Sequence, residues 1–246
     1  MRYLVLSDIH ANLEALEAVL DAAAAIPYDR ILVLGDLVGY GADPNAVVDR
    51  IRGLEPHAVI RGNHDKVGAG LEPSDAFNAV ARAAIRWTYE ALSDDNRDWL
   101  AELPAGPLVV DELVLICHGT PFDEDTYVFD DADVLRSMQA SDRRVVLFGH
   151  THVQVGYRLA SQSLTLVTED VTRPLQVTIS QGHYLINPGS VGQPRDGDPR
   201  AGFGIYDATA EVIEIHRTTY PIERAQARIR DAGLPEALAQ RLSIGR

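Results

Sequence analysis

Residues 3–36 read YLVLSDIHANLEALEAVLDAAAAIPYDRILVLGD. The two short apolar runs in this stretch, YLVL and ILVL, are typical of parallel strands that are covered on both faces. Residues 12–25, between them, predict a helix with Asn12 as its N-cap and an apolar face of leucine and valine. The stretch therefore predicts two parallel strands joined by a right-handed helical connection.

The alternation of helix and strand continues downstream. Asp43 and Pro44 open a second predicted helix that stops at Gly53, and the strand HAVIRG follows over residues 57–62. Residues 67–104 are predicted to be helical, with Ser74 and Ser93 as N-caps. We expect this stretch to form a helical, cap-like segment that shapes a substrate cleft.

The second half of the chain changes character. Closely spaced apolar runs between residues 108 and 218 predict short strands, mostly antiparallel, and two helices close the chain. The most economical arrangement is an α/β fold, a four-layer α/β/β/α sandwich of two mixed β-sheets flanked by helices. We expect residues 1–246 to form a single domain.

Composition narrows the classes of function. A net charge of −14 disfavours binding to long nucleic acid, but it allows a small anionic substrate where divalent ions dominate the local field. No apolar run approaches the ~20 residues that a membrane helix needs. Cys117 is the only cysteine, so no intrachain disulfide forms. With no signal peptide in the N-terminal residues, we expect a cytoplasmic protein.

Polar residues suited to metal binding follow the predicted strands. The seven candidate ligands are Asp8, His10, Asp36, Asn63, His118, His150 and His152. Strand ends meet at one rim of a parallel sheet, so these side chains should converge. Asp36 could bridge two ions, and His64 remains free to act as a general acid. Taken one at a time, these residues also have a structural interpretation, as a capping aspartate, an Asx turn or a packed histidine.

In this order, the motifs resemble those of the calcineurin-like metallophosphoesterase superfamily. They are Asp8-Ile-His10, Gly35-Asp36, Gly62-Asn63-His64-Asp65, His118 and Gly149-His150-Thr151-His152. The stretch NPGSVGQPR, residues 187–195, resembles the bacterial branch that includes YfcE-like phosphodiesterases and relatives of diadenosine tetraphosphatase.

The resemblance implies two ions with separate ligand sets. Asp8, His10, Asp36 and His152 would hold one ion, and Asp36, Asn63, His118 and His150 would hold the other. We expect two divalent metal ions, manganese first, although iron, zinc, cobalt and nickel suit the same mixed donors.

Two positions depart from the family pattern. Tyr40 stands where protein phosphatases and diadenosine tetraphosphatase carry a phosphate-binding arginine, and Gly39 stands where protein phosphatases carry an aspartate that supports the catalytic histidine. Phosphate binding is then left to the metals, His64 and another cation. Arg195 is the candidate for that cation, and its alternative interpretation is a solvated surface arginine.

The expected function is a dinuclear metal-dependent phosphoesterase that hydrolyses a small phosphodiester, phosphomonoester or nucleotide by attack of a metal-bridging hydroxide. The alternatives are a dinucleoside polyphosphate hydrolase and a Ser/Thr protein phosphatase. A non-catalytic scaffold on the same fold is a different class, which the complete ligand set and His64 disfavour. We expect a small phosphorylated substrate as partner, with no membrane and no long nucleic acid. The sequence does not predict an oligomeric state.

Overall fold

The computed structural model describes residues 1–168 and 175–246. Twelve strands lie in these two ranges. In chain order they are β1 (Arg2–Leu6), β2 (Arg30–Val33), β3 (Ala58–Val59), β4 (Leu108–Val109), β5 (Val114–Ile116), β6 (Val145–Leu147), β7 (Gln154–Ala160), β8 (Ser163–Leu166), β9 (Leu175–Thr178), β10 (His183–Pro188), β11 (Ala201–Asp207) and β12 (Val212–Thr218).

Eight α-helices and one 3₁₀ turn lie in the same described ranges. The helices are α1 (Leu13–Ala23), α2 (Pro44–Gly53), α3 (Asn63–Gly68), α4 (Ala79–Ala91), α5 (Asp94–Ala101), α6 (Asp131–Gln139), α7 (Ile222–Asp231) and α8 (Glu236–Leu242), and the 3₁₀ turn is Ser74–Ala76. No helix in the described part of the chain is long and apolar enough to cross a membrane.

The strands form two mixed sheets of six. The first has the order β3-β2-β1-β11-β12-β9, with β1, β2 and β3 parallel and the remaining neighbours antiparallel. The second has the order β4-β5-β6-β10-β7-β8, with β5, β6 and β10 parallel. The predicted α/β fold with two mixed sheets flanked by helices is confirmed.

Alternation along the strands produces the layers. In β1, Leu4 and Leu6 pack against the helices, while Val5 faces the second sheet across a shared core. In β6, Val146 turns outward and packs against α6. Each central strand is thus apolar on both faces, which explains the continuous apolar runs in the sequence.

The structure corrects the predicted connection between β5 and β6. The sequence predicted mostly antiparallel strands and no helix in this region, whereas α6 joins the two strands, which pair in parallel. Helix α6 gives a weak apolar signal, because its sequence DADVLRSMQ buries few apolar side chains. Its clearest sign is Asp130, whose carboxylate caps the helix by accepting from the backbone N–H groups of Ala132 and Asp133.

The cap-like segment, residues 67–104, differs from the prediction in one of its helix caps. Asn78, not Ser74, caps α4, because its side chain accepts from the backbone N–H groups of Val80 and Ala81. Ser93 caps α5 as predicted, through the N–H of Asn96. Strand β3 is shorter than the predicted HAVIRG run, since it covers only Ala58–Val59, and α3 begins at Asn63.

Candidate metal centre

The seven candidate ligands converge where the strands end. They come from the loops after β1, β2, β5 and β6 and from the start of α3, and all seven are at most 8% exposed. Asp8, His10 and Asp36 follow strands of the first sheet, whereas His118, His150 and His152 follow strands of the second. The site therefore lies at the junction of the two sheets.

Five of the seven residues adopt a left-handed backbone conformation. Their φ angles are 53° for Asp8, 50° for His10, 54° for Asp36, 65° for His150 and 59° for His152. Non-glycine residues rarely take this conformation, which costs about 1–3 kcal/mol each. Such strain persists only where the surroundings impose it, and it is concentrated here at the polar cluster.

Close backbone contacts hold the loops in place. The N–H of Asp8 donates to the carbonyl of Gly35 at 3.0 Å, and the N–H of His10 donates to that of Asp36 at 2.9 Å. A Cβ on Gly62 would lie 2.2 Å from Oδ1 of Asp36, so only glycine allows the third loop to approach this closely.

The first candidate ion site contains Asp8, His10, Asp36 and His152. Nδ1 of His10 lies 3.0 Å from the carbonyl oxygen of Val38, and Nδ1 of His152 lies 2.6 Å from that of Gln193. Carbonyls only accept, so both Nδ1 atoms carry the hydrogen and both Nε2 atoms carry a lone pair. The two Nε2 atoms face each other at 3.0 Å, an unfavourable contact that a cation between them would relieve.

The second candidate ion site contains Asp36, His118 and His150. Nδ1 of His118 donates to the carbonyl of Leu34 at 2.8 Å, and Nε2 of His150 donates to that of Asp125 at 3.1 Å. The remaining ring nitrogens, Nε2 of His118 and Nδ1 of His150, lie 3.2 Å apart. Backbone carbonyls thus orient all four imidazoles with one nitrogen toward the cluster, as the outer contacts of metal-binding histidines do.

Asn63 and Asp36 connect to this second site. Oδ1 of Asn63 lies 3.3 Å from Nε2 of His118. Oδ2 of Asp36 lies 3.4 Å from the same nitrogen and 3.5 Å from Nε2 of His10, so it faces both groups. The structure therefore brings together the two ligand sets that the family resemblance implies, with Asp36 between them.

Protonation within the cluster suits cation binding. Burial lowers the pKa of His10 and His152 well below the usual value and that of His150 to about 3, so these rings are neutral. Burial alone would raise the pKa of Asp36, but the imidazole of His118 holds it well below its usual range.

The charge of Asp36 acts in turn on His118. Burial alone would lower the pKa of His118, but the carboxylate of Asp36 raises it to about 10. The proton on His118 compensates the buried negative charge, which is the task that a bound cation would perform. The donor set and its electrostatics therefore fit divalent metal ions.

His64 lies beside this cluster. Its backbone N–H donates to Oδ1 of Asp36 at 2.8 Å, and its ring packs against Tyr40 and Phe77, with centroid distances of 4.3 and 4.7 Å. Nδ1 of His64 is buried without a hydrogen-bond partner, and a Cβ on Gly39 would lie 2.3 Å from it. The imidazole thus occupies the space beside residue 39, which leaves Nε2 as the nitrogen available to a substrate.

Arg195 approaches the cluster from the loop after β10. Its guanidinium lies 5.6 Å from the ring centroid of Tyr40 and donates to Oε1 of Gln193 at 3.0 Å, while Nε is buried without a partner. Its positive charge contributes to the lowered pKa of His10 and His152. The arginine therefore stands next to the candidate metal centre, over the ring of Tyr40.

Sequence reasoning missed residues that act through the backbone or behind the ligands. Asp65 is fully buried, and its carboxylate accepts from the N–H groups of Val38 and Gly62, which ties two site loops together. Asp125 and Gln193 contribute carbonyl oxygens, for which side-chain identity gives no signal. Asp65 belongs to the Gly62-Asn63-His64-Asp65 motif, but no role for it was predicted from the sequence.

An open cleft of about 770 Å³, counting the part open to solvent, lies over the second candidate ion site. Asn63 and His150 form part of its floor, and residues 66–81 and 125–127 form its sides. Only the first part of the predicted cap-like segment thus lines the cleft. Helix α5 instead packs beside α2, where Asn96 donates to Asp49.

Known proteins resemble the chain over most of its length. The family model for the calcineurin-like phosphoesterase superfamily domain matches residues 1–211. An uncharacterized protein of Methanocaldococcus jannaschii is 38% identical over 256 residues, covering 98% of this chain and 97% of that protein.

Solved structures are similar in fold. A metallophosphoesterase from Sphaerobacter thermophilus is 37% identical, with a TM-score of 0.87 and full coverage of both chains. A hypothetical protein from Pyrococcus horikoshii, 22% identical, has a TM-score of 0.79 and covers 100% of this chain and 98% of its own. The resemblance that the motifs predicted is confirmed.

Proposed function

The chain belongs to the calcineurin-like phosphoesterase superfamily, and from this premise we propose that it is a dinuclear metal-dependent hydrolase of small phosphate esters. The proposed substrates are a phosphodiester, a phosphomonoester or a nucleotide. One observation carries the proposal. Each of four buried imidazoles donates one ring N–H to a backbone carbonyl and turns its other nitrogen toward two buried carboxylates.

We propose that Asp8, His10, Asp36 and His152 hold one divalent ion and that Asp36, Asn63, His118 and His150 hold the other. Bound there, two such ions would act as Lewis acids that neutralise phosphate charge and acidify water. Manganese is the metal that we propose first, because carboxylate and amide oxygens suit it, and the imidazoles leave iron, zinc, cobalt and nickel as alternatives. The remaining tasks belong to the protein's own side chains.

His64 is proposed as the general acid. Its ring is held between Tyr40 and Phe77, and its Nδ1 is buried against Gly39. Burial lowers the pKa of His64 to about 4, so in this proposal the negative charge of a bound phosphate favours the protonated ring. Nε2 would then deliver that proton to the ester oxygen as its bond to phosphorus breaks and water oxygen forms the new one. The hydrogen bond from the backbone N–H of His64 to Asp36 holds this residue next to the candidate ligands.

Arg195 is proposed to bind a phosphoryl oxygen. Its Nε is buried and unpaired, and its guanidinium lies beside the cluster, so a phosphate would supply the missing acceptor. In this arrangement Arg195 would take the role of the arginine that, by the family resemblance, protein phosphatases and diadenosine tetraphosphatase carry at the position of Tyr40.

The test is a hydrolysis panel with protein that has been chelated and then reloaded with Mn²⁺. The substrates are p-nitrophenyl phosphate, bis-p-nitrophenyl phosphate, 2′,3′-cyclic AMP and diadenosine tetraphosphate. We expect release of product only from the reloaded protein. Two bound ions with no hydrolysis of any substrate would contradict the proposal and favour the non-catalytic scaffold.

A further inference from the structure

The cleft over the second candidate ion site has aromatic walls on both of its chain segments. Phe77 stacks on His64, with a centroid distance of 4.7 Å and an interplanar angle of 22°. Tyr127 packs on His150, with a centroid distance of 3.7 Å and an angle of 31°, and it also stacks on Phe129 at 5.1 Å. Both rings line the cleft, and the imidazoles beneath them fix their positions next to the candidate ligands.

The outer part of the cleft is polar and mostly acidic. Lys66 is 4% exposed and already pairs with Asp125 at 2.6 Å and with Glu72 at 3.2 Å. These two carboxylates are about half exposed, so each keeps acceptor oxygens for a ligand. Asn78 uses its oxygen to cap α4, which leaves its NH₂ group as a donor.

This lining discriminates between kinds of organic group. Among the described residues that line the cleft, Lys66 is the one cation, and carboxylates already neutralise it. A second phosphoryl group would therefore meet negative charge there without compensation. A flat, uncharged ring can instead stack on the aromatic side chains and donate its N–H groups to the carboxylates.

We propose that Phe77 and Tyr127 form a subsite for a flat, nitrogen-bearing ring such as a nucleobase. The substrate of this protein is then an ester in which a nucleoside carries a single phosphoryl group. The phosphoryl end of this assignment rests on the proposed function, whereas the ring subsite rests on the cleft itself.

Matched substrate pairs test the subsite. AMP and ribose 5-phosphate share the monoester and the sugar but differ in the base, and their 5′-methyl phosphate esters form the same pair for a diesterase. We expect kcat/KM for the member with a base to be roughly 10- to 100-fold higher, the range that aromatic stacking of one base produces.

Variants locate the preference. Phe77→Ala and Tyr127→Leu should each reduce the ratio of the two kcat/KM values toward one and leave the metal content unchanged. Tyr89→Ala is the matched control, because Tyr89 is an exposed aromatic residue of the neighbouring helix that lies outside this cleft. Calorimetric binding of adenosine, which has no phosphate, should weaken in the two cleft variants and not in Tyr89→Ala.

Three results would overturn the subsite: equal kcat/KM within each pair in the unaltered protein, a preference that survives both cleft variants, or adenosine binding that neither variant weakens. Absence of hydrolysis from every substrate would contradict the proposed function instead. Adenosine binding still decides the subsite in that case, because it does not depend on turnover.

Discussion

Two adjacent regions of the molecule are held together in different ways. The ligand rim consists of residues 8–12, 35–40, 62–65, 118 and 149–152, and backbone hydrogen bonds tie its loops together, as from Gly149 to the carbonyl of His118 at 2.8 Å. The cleft wall consists of residues 66–81 and 125–127. It depends on side-chain ion pairs, chiefly those of Lys66 and the pair between Arg61 and Glu124 at 3.0 Å.

The two regions therefore differ in how much their amino-acid sequences can vary. The rim needs glycine where loops touch and left-handed backbone at five candidate ligands, so few sequences satisfy it. The wall needs only complementary charges and apolar contact, which many sequences provide. We infer that the rim determines the type of reaction and the wall determines the substrate.

The largest effect is expected from Asp36→Asn in the rim. Because Asp36 faces both candidate ion sites, we expect both ions and all detectable phosphate release to be lost. Metal analysis by mass spectrometry checks this. Asp8→Asn is the matched variant and should lose one ion only, since Asp8 faces only the first site. Loss of a single ion in Asp36→Asn would show that this carboxylate is not shared.

His64→Ala should reduce turnover without changing the metal content. We expect both ions to remain and turnover to fall by about 10²–10⁴, the contribution of a positioned general acid. His183→Ala is the control, because His183 is exposed at the start of β10. Unchanged turnover in His64→Ala would remove this histidine from the mechanism.

Arg195→Ala should give a smaller change, because the metals would bind most of the phosphate charge. We expect roughly a 10-fold loss in kcat/KM, corresponding to a charged hydrogen bond of about 1.5–3 kcal/mol partly offset by water. Arg86→Ala, which removes an exposed arginine outside the rim, is the control. Equal kcat/KM in both variants would show that Arg195 does not bind the phosphoryl group and is a surface residue.

Lys66→Met tests whether ion pairs hold the wall. Its ammonium group is buried among three carboxylates, two of them half exposed, so we expect unfolding free energy to fall by about 1–3 kcal/mol with metal content retained. Denaturant titration measures the change. Lys66→Arg keeps the charge, so its free energy of unfolding should fall less. Equal stability of all three proteins would mean that the apolar contacts suffice.

The rim could be predicted from the sequence, whereas the aromatic residues of the wall could not. Asp8, Asp36 and His150 each follow a short apolar run, and the rule that strand ends share a rim brings them together. Tyr127 and Phe77 lie in irregular segments, where no periodicity relates residues distant in sequence. Helix α6 escaped prediction for a related reason, because its polar sequence has only a narrow apolar face.

The division of the candidate ligands between the two sheets has a thermodynamic consequence. An ion coordinated by His10 and His152 would join chain segments 142 positions apart, and such an ion has no preformed site in the unfolded polypeptide. Its binding free energy then adds to the stability of the native state, by about 2.7 kcal/mol at a free concentration one hundred times the dissociation constant. Chelators would consequently act on this protein as mild denaturants, and its melting temperature would report the supply of metal in its surroundings.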